Sequence, residues 1–564
     1  MIRNYFLVAV RNLRRNKFFS ALNIFGLAVS MTICMAIIML VADQMTYDRH
    51  NPNHNRIYRI NSYMVDNNGM PTRSVENATS PMPLREELLE KYTGVEQVVR
   101  IKRGFGNNWL ELENQNVNIP LKGFFADPEA LTFFGHSLMY GDASTALVQP
   151  YSVVLTKKAA EKLFREENPV GSTIRVGDIG VYTVTGVLQE TKKKSHIVFE
   201  ALASMSTVKS LQAEGRFGSD LTNWLDFWGS WTYILLEPGK TPDDIRPALE
   251  GIFKEHIASV PNPDAYKAKF NLQALTAITP GPMVNNPIGP SLPWAFVYFL
   301  SGLAAVIMLT SCFNFTNLSI ARSLKRAKEI GVRKVTGAQR WQIFTQFLIE
   351  SIVVSFCAFL VSLLLLIIVK PLILQLTFAK LFMWDLEANY AVFAIFVLFA
   401  VLVGIIAGFF PAIVLSGFQP IKVLKNFYPV KVFSSMGLRK ALLVSQFTVS
   451  LVFILTVIVM YNQLQLFLHS DYGFNMKDNL MIRLNSTSPD RLKTELLKYP
   501  NIDCVTASSH IPAAGETRGN GFKKELSEKE WTSLNTFSVD DDYLQNMQVG
   551  LIAGRFFTAE NGIG

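Results

Sequence analysis

Five apolar runs decide what this chain can fold into. Residues 18–42, 294–315, 347–369, 390–415 and 441–467 carry a single charge among them, Glu350. At about 1.5 Å of rise per residue, each is a helix long enough to cross a hydrocarbon core roughly 30 Å thick. Trp294, Trp341, Trp384 and Tyr461 stand near the ends of these runs, where amphipathic rings settle at the level of the headgroups. With positive mean hydropathy and 49% apolar residues over 564 positions, the chain is too apolar to be wholly soluble. It is also too charged to be only a bundle of spans, so both kinds of segment are present.

Charge sets the expected orientation. Arg3, Arg11, Arg14, Arg15 and Lys17 precede the first run with no acid. Residues 318–340 hold seven bases against Glu329, and residues 416–440 hold five bases and no acid. These segments are expected to face the cytoplasm. Their balance is +16, so with a net charge of +9 the rest of the chain carries −7. The basic total therefore reflects topology and contact with anionic lipid, and points to no nucleic acid. The first run follows a positive segment as a signal peptide would, but 25 uncharged residues exceed an h-region. It reads as an uncleaved anchor. Cys34, Cys312 and Cys357 lie in the apolar runs and Cys504 stands apart, which leaves the first outer segment without a disulfide.

The expected order is then 1–17 as an amphipathic N-terminus, with spans at 18–42, 293–317, 343–369, 390–415 and 441–467. Residues 43–292 form an outer domain, 318–342 an inner loop, 370–389 a short outer loop, 416–440 an inner linker and 468–564 the start of a second outer domain. The 43–292 segment is large enough to bury a core of its own. β-branched and aromatic runs at 151–156, 182–188 and 231–237 predict strands, and the spacing at 83–92 and 157–164 predicts helices. Together they indicate an α+β domain, in one or two lobes, with turn residues near Asn262, Pro280 and Pro282 marking the return to the membrane. Residues 127–141 and 540–554 share their Asp-to-Gly separation, and Leu551-Ile552 stand where Leu138-Met139 stand. Each follows a basic stretch, one span and a comparable polar length. This predicts an internal repeat whose second copy is cut short.

Four segments carry a resemblance. They are Arg11-Asn-Leu-Arg-Arg-Asn-Lys17 leading to Asn23 and Gly26; Leu163-Phe164 with Asn168-Pro-Val-Gly171; Tyr182-Thr-Val-Thr-Gly-Val187 with Ser195-His196; and Glu329-Ile-Gly-Val-Arg-Lys-Val-Thr-Gly-Ala338 with Gln346-Phe-Leu-Ile-Glu-Ser351. In these segments and in the order of its spans the chain resembles the MacB/FtsX-type permeases of ABC transporters, in their duplicated eight-span form. The resemblance implies a permease with periplasmic core domains of the MacB type in a bacterial inner membrane. It implies work by mechanotransmission, export of a peptide, lipoprotein or antimicrobial compound, and a separate cytoplasmic ATPase dimer holding ATP and Mg. It implies no cofactor on this chain. A second permease copy or repeat, a periplasmic adaptor with an outer-membrane channel, and a sensor kinase are all compatible partners. A membrane-anchored sensor or scaffold without transport is the rival reading.

The basic loop is expected to be a short helix over residues 327–335 that presents Ile330 between charges, with Gly337 turning the chain into the next helix. The resemblance makes it the ATPase-coupling helix, through Lys328, Glu329, Ile330, Gly331, Arg333, Lys334, Gly337 and Ala338. The bland alternative is a turn that sets topology and touches headgroups. Gly404 and Gly408 form a GxxxG pair suited to close helix approach, and Pro411 is expected to bend the same span while Pro420 ends it. Ile2, Phe6, Val10 and Leu13 give the N-terminus an apolar face. Enzyme chemistry is not indicated: Pro238-Gly-Lys-Thr241 lacks the glycine five residues ahead of Gly239 that a P-loop needs, and no HExxH occurs. Pro52 between His50 and His54 spoils a helical metal pair, and His136, His196 and His256 read as surface or core histidines.

Overall fold

The computed structural model describes the chain apart from residues 1, 67–68, 73–74, 106–108, 113–114, 166–167, 178, 192, 216–220, 261–266, 388, 418–432, 483, 485–487, 511–517, 523–531 and 556–564. Pro420, most of the 416–440 linker and Asn262 therefore lie outside the described residues. So do the side chains at 322–328, Lys328 included.

Five helices among the described residues are long and apolar enough to cross a membrane: Lys17–Gln44, Trp294–Val335, Arg340–Gln375, Tyr390–Ser416 and Phe433–His469. The first four form a bundle whose core includes Met31, Met35, Cys312, Phe359, Phe396 and Ala407. The fifth leaves most of its apolar side chains exposed. With no hydrophobic drive between helices in lipid, small residues and hydroxyls hold such a bundle together. A methyl group on Gly404 would lie 2.7 Å from Ile352 Cα, and one on Gly408 would lie 2.5 Å from Ser351 Cβ. The GxxxG pair thus seats the fourth helix on the third. Ser355 donates to the Ala400 carbonyl (2.7 Å), Thr316 to Ala407 (3.1 Å) and Ser311 to Gly26 (3.1 Å). Pro411 is accommodated inside a helix that continues to Ser416.

The large domain joins the ends of the first and second helices. Among the described residues fourteen strands form one mixed sheet. Ser230–Leu236 is buried along its whole length and pairs on one side with Ile57–Val65 and on the other with Val95–Lys102, both antiparallel. Three pairings are parallel among the described residues, Gly123–Ala126 with Ala201–Ser204, Ser152–Thr156 with Gly180–Leu188 and Glu76–Asn77 with Val284–Asn285. Helices Leu84–Lys91, Lys157–Phe164 and Pro242–Ile252 cover the sheet with Leu88, Leu163 and Leu249 turned inward. Strands Ser152–Thr156, Gly180–Leu188 and Ser230–Leu236 and helices Leu84–Lys91 and Lys157–Phe164 lie where β-branched runs and helical spacing place them.

The internal repeat appears in the backbone. Tyr543 N donates to Asp540 O as Ala130 N does to Asp127 O, Met547 N to Tyr543 O as Phe134 N does to Ala130 O, and Val549 N to Leu544 O as His136 N does to Leu131 O. Gly135 and Gln548, equivalent in this alignment, both have positive φ (71° and 53°). Each aspartate also accepts from a backbone N–H of the preceding segment: Asp127 from Arg100 (2.7 Å) and Asp540 from Ala507 (3.0 Å).

One expectation is overturned. Residues 327–335 are not a separate short helix. They are the last turns of the 42-residue helix Trp294–Val335, because nothing between Phe315 and Val335 breaks helical hydrogen bonding.

Candidate functional site

At its basic end the second helix stops at Val335, and Gly337 takes φ +101°, a conformation that costs a glycine little. Gln339 then caps the third helix, with its backbone N–H donating to the Gln342 side chain at 3.1 Å. The turn is therefore short and defined at both ends.

Three side chains tie it to the bundle. Ile330 is 3% exposed and packs with Ile343, Phe347, Ala412 and Leu415 of the third and fourth helices. It was expected between charges at the surface; instead the helix rotates it inward, and Gly331 is buried beside it. Arg333 donates to Gln346 of the third helix (3.0 Å) and pairs one turn back with Glu329 (2.6 Å). Lys334 donates to the Ser416 carbonyl at 2.7 Å and so caps the C-terminus of the fourth helix. Partial burial, then the charge of Arg340, lowers the Lys334 pKa. Ala338 packs on the Ile330 cluster, and Gly337 is exposed.

The opposite face is open. Val332 and Val335 are 53% and 64% exposed, and Trp341 follows at 57%. At 100° per residue the two valines lie 140–200° around the helix from Ile330. They were not singled out in the sequence, although an apolar pair spaced by three on the far side of a buried isoleucine is a readable signal. Trp341 donates to Gln339 at 2.9 Å.

Close by, the N-terminal helix Ile2–Arg15 meets the third spanning helix through Asn12, which donates to Glu350 at 2.6 Å. The two residues line a cavity of about 80 Å³ with Asn16, Asn23, Ser351 and Pro411. Glu350 stands ten residues into a helix that starts at Arg340, deeper than its place at the head of an apolar run suggests.

Other candidates are accounted for within the chain. Glu87, Glu255 and His256 come within metal-ligating distance of one another, but the Lys91 ammonium lies 2.7 Å from Glu87 and 3.1 Å from Glu255, and Trp224 stacks on the imidazole. His54 Nδ1 lies 2.7 Å from the Asn51 carbonyl, and His136 rests edge-on against Phe199. An open groove of about 520 Å³ beside the strand Lys267–Ala274 is walled by Glu250 and Lys269, 3.6 Å apart, and by Glu76, which accepts from Asn271 at 2.8 Å.

Comparison with known proteins gives two family matches, the MacB-like periplasmic core domain over residues 20–252 and the FtsX-like permease C-terminal domain over residues 301–420. The macrolide export ATP-binding/permease protein MacB of Bdellovibrio bacteriovorus is 25% identical over 267 residues, 46% of this chain and 36% of that protein. The uncharacterized ABC transporter permease YknZ of Bacillus subtilis is 26% identical over 266 residues, 46% of this chain and 57% of that one. The chain thus spans between a third and three-fifths of the length of these relatives. The periplasmic region of MacB from Actinobacillus actinomycetemcomitans matches 40% of this chain and 93% of its own, at 14% identity and a TM-score of 0.28.

Proposed function

We propose, for a chain that belongs to the MacB/FtsX-type permeases of ABC transporters, that it converts ATP-driven movement of a separate cytoplasmic ATPase into movement of its periplasmic domain. The observation that carries this reading is the basic turn. Ile330, Arg333 and Lys334 join three spanning helices at one point, while Val332, Val335 and Trp341 leave an apolar strip facing away from the bundle. A partner groove that closes on that strip moves the joined helices together, and a rigid element biased from both ends is what coupling requires.

On this reading the basic segments face the cytoplasm, the N-terminus included, and the chain itself hydrolyses nothing. Cargo classes consistent with it are a peptide, a lipoprotein or an antimicrobial compound, and export is favoured by the name of the Bdellovibrio relative.

The test uses the full chain purified with the ATPase that accompanies it. Val332→Glu with Val335→Glu should remove permease-stimulated ATP hydrolysis and leave membrane insertion unchanged. Stimulation at the wild-type level would refute the coupling role. Swapping Glu329 with Arg333 is a weaker test, because those two side chains pair with each other and their exchange preserves the pair.

A further inference from the structure

Just beyond the first spanning helix lies a buried polar cluster that the basic turn does not explain. Asp48 is 3% exposed and His196 1% exposed, and the carboxylate Oδ2 lies 2.7 Å from His196 Nδ1. Ser195 Oγ donates to Asp48 Oδ1 (2.6 Å), and the Asp48 backbone N–H donates to the Lys194 carbonyl (2.9 Å). On its other side His196 Nε2 meets the Tyr233 hydroxyl at 2.8 Å. Tyr233 is fully buried in the central strand Ser230–Leu236. An unbroken chain of short polar contacts therefore runs from the end of the first helix to the middle of the sheet.

The same segments grip the top of the bundle. Lys194 pairs with Asp43 and donates to the Met383 carbonyl (3.3 Å), and Tyr47 donates to the Phe382 carbonyl (3.0 Å). The cluster sits where the first helix, the link between the third and fourth helices, and the large domain meet.

The backbone supplies a second, independent observation. Asp48 has φ +59°, a conformation that glycine enters freely and aspartate holds only when its surroundings fix it. After the fifth helix a glycine stands at the same distance from the helix end. Tyr472 follows His469, the last residue of the fifth helix, as Tyr47 follows Gln44, and Gly473 then takes φ +77°. At Asp48 a carboxylate-bearing residue holds the conformation that glycine holds at Gly473.

We propose that Asp48 and His196 are positioning residues that make a stiff joint, through which displacement of the first spanning helix reaches the periplasmic sheet. The inference rests on the coupling function proposed above. Because the contacts are short and shut away from water, they resist stretching far better than a solvated linker of the same length.

The experiment uses the full chain with its ATPase in lipid nanodiscs. Spin labels replace Asp243, exposed on the domain, and Leu376, exposed beside the third helix. The distance between them is read by electron spin resonance with and without nucleotide, alongside ATP hydrolysis. Asp48→Gly suits the backbone and removes only the carboxylate, and His196→Gln is a second variant in case the first misfolds. The wild type should change its distance on nucleotide binding. In the variants that change should shrink at least about fivefold while stimulated hydrolysis persists, and Asp48→Asn, which can still accept from Ser195, should restore part of it. A wild-type distance change in both variants would overturn the joint. If the wild type shows neither stimulated hydrolysis nor movement, the coupling reading fails and takes the joint with it.

Discussion

Gly408 of the fourth spanning helix faces Ser351 of the third so closely that a Cβ atom on it would lie 2.6 Å from the serine hydroxyl oxygen. Ser351 is buried, its hydroxyl donates back to Phe347 (3.1 Å), and its own Cβ would lie 2.5 Å from the added atom, so turning the hydroxyl away does not relieve the clash. Gly408→Val should therefore force the helices apart and destabilise the bundle by about 1–3 kcal/mol. Thermal unfolding in detergent, followed by helical circular dichroism, would show it as a lowered midpoint. An unchanged midpoint would mean the contact is looser than the structure places it.

Arg333→Ala removes the link between the second and third helices at Gln346. Under the proposed function, stimulated ATP hydrolysis should drop by about tenfold, within the range of allosteric coupling energies, with normal amounts of protein in the membrane. Measuring hydrolysis and membrane content in one preparation separates lost coupling from lost expression.

Asn12→Ala withdraws a donor from Glu350 in a region of low dielectric. The expected cost is about 1–3 kcal/mol, and adding Glu350→Gln should recover much of it because a neutral amide tolerates that environment better. A double-mutant cycle on thermal stability would read the coupling. Additive effects would show that the contact contributes nothing.

The domain should lose stability in acid through Asp48. Burial alone would raise the pKa of this carboxyl, but the charge and hydrogen bonds of His196, with those of Ser195, hold it below the usual value. A group with a depressed folded pKa contributes stability that is complete above its unfolded value, near 4, and is lost as pH falls through the folded value. The melting temperature of the wild type should thus fall below about pH 4 more steeply than that of Asp48→Asn. Parallel curves would remove Asp48 from the acid transition.

The five spans, the α+β domain and the repeat were legible because each rests on a pattern of many residues: unbroken apolar length, alternation across a buried sheet, an aspartate and glycine at fixed separation. The direction in which Ile330 points was not. A single apolar residue among bases gives no period, and only the continuity of the helix from Trp294 settles which way it faces. Asp48 was hidden for another reason: its partners at 194–196 and 233 are brought to it by the sheet, and nothing local marks a positive φ at an aspartate. Ser195-His196 was noticed as a motif, but its meaning depends on that distant carboxylate.

The unbroken helix Trp294–Val335 would give the proposed coupling a shaft about 60 Å long. Under the proposed coupling, torque at the valine strip emerges beside the domain with its angle preserved, so the phase between the two ends matters. Inserting one residue midway would turn one end against the other by about 100°, breaking the phase on which the proposed coupling depends.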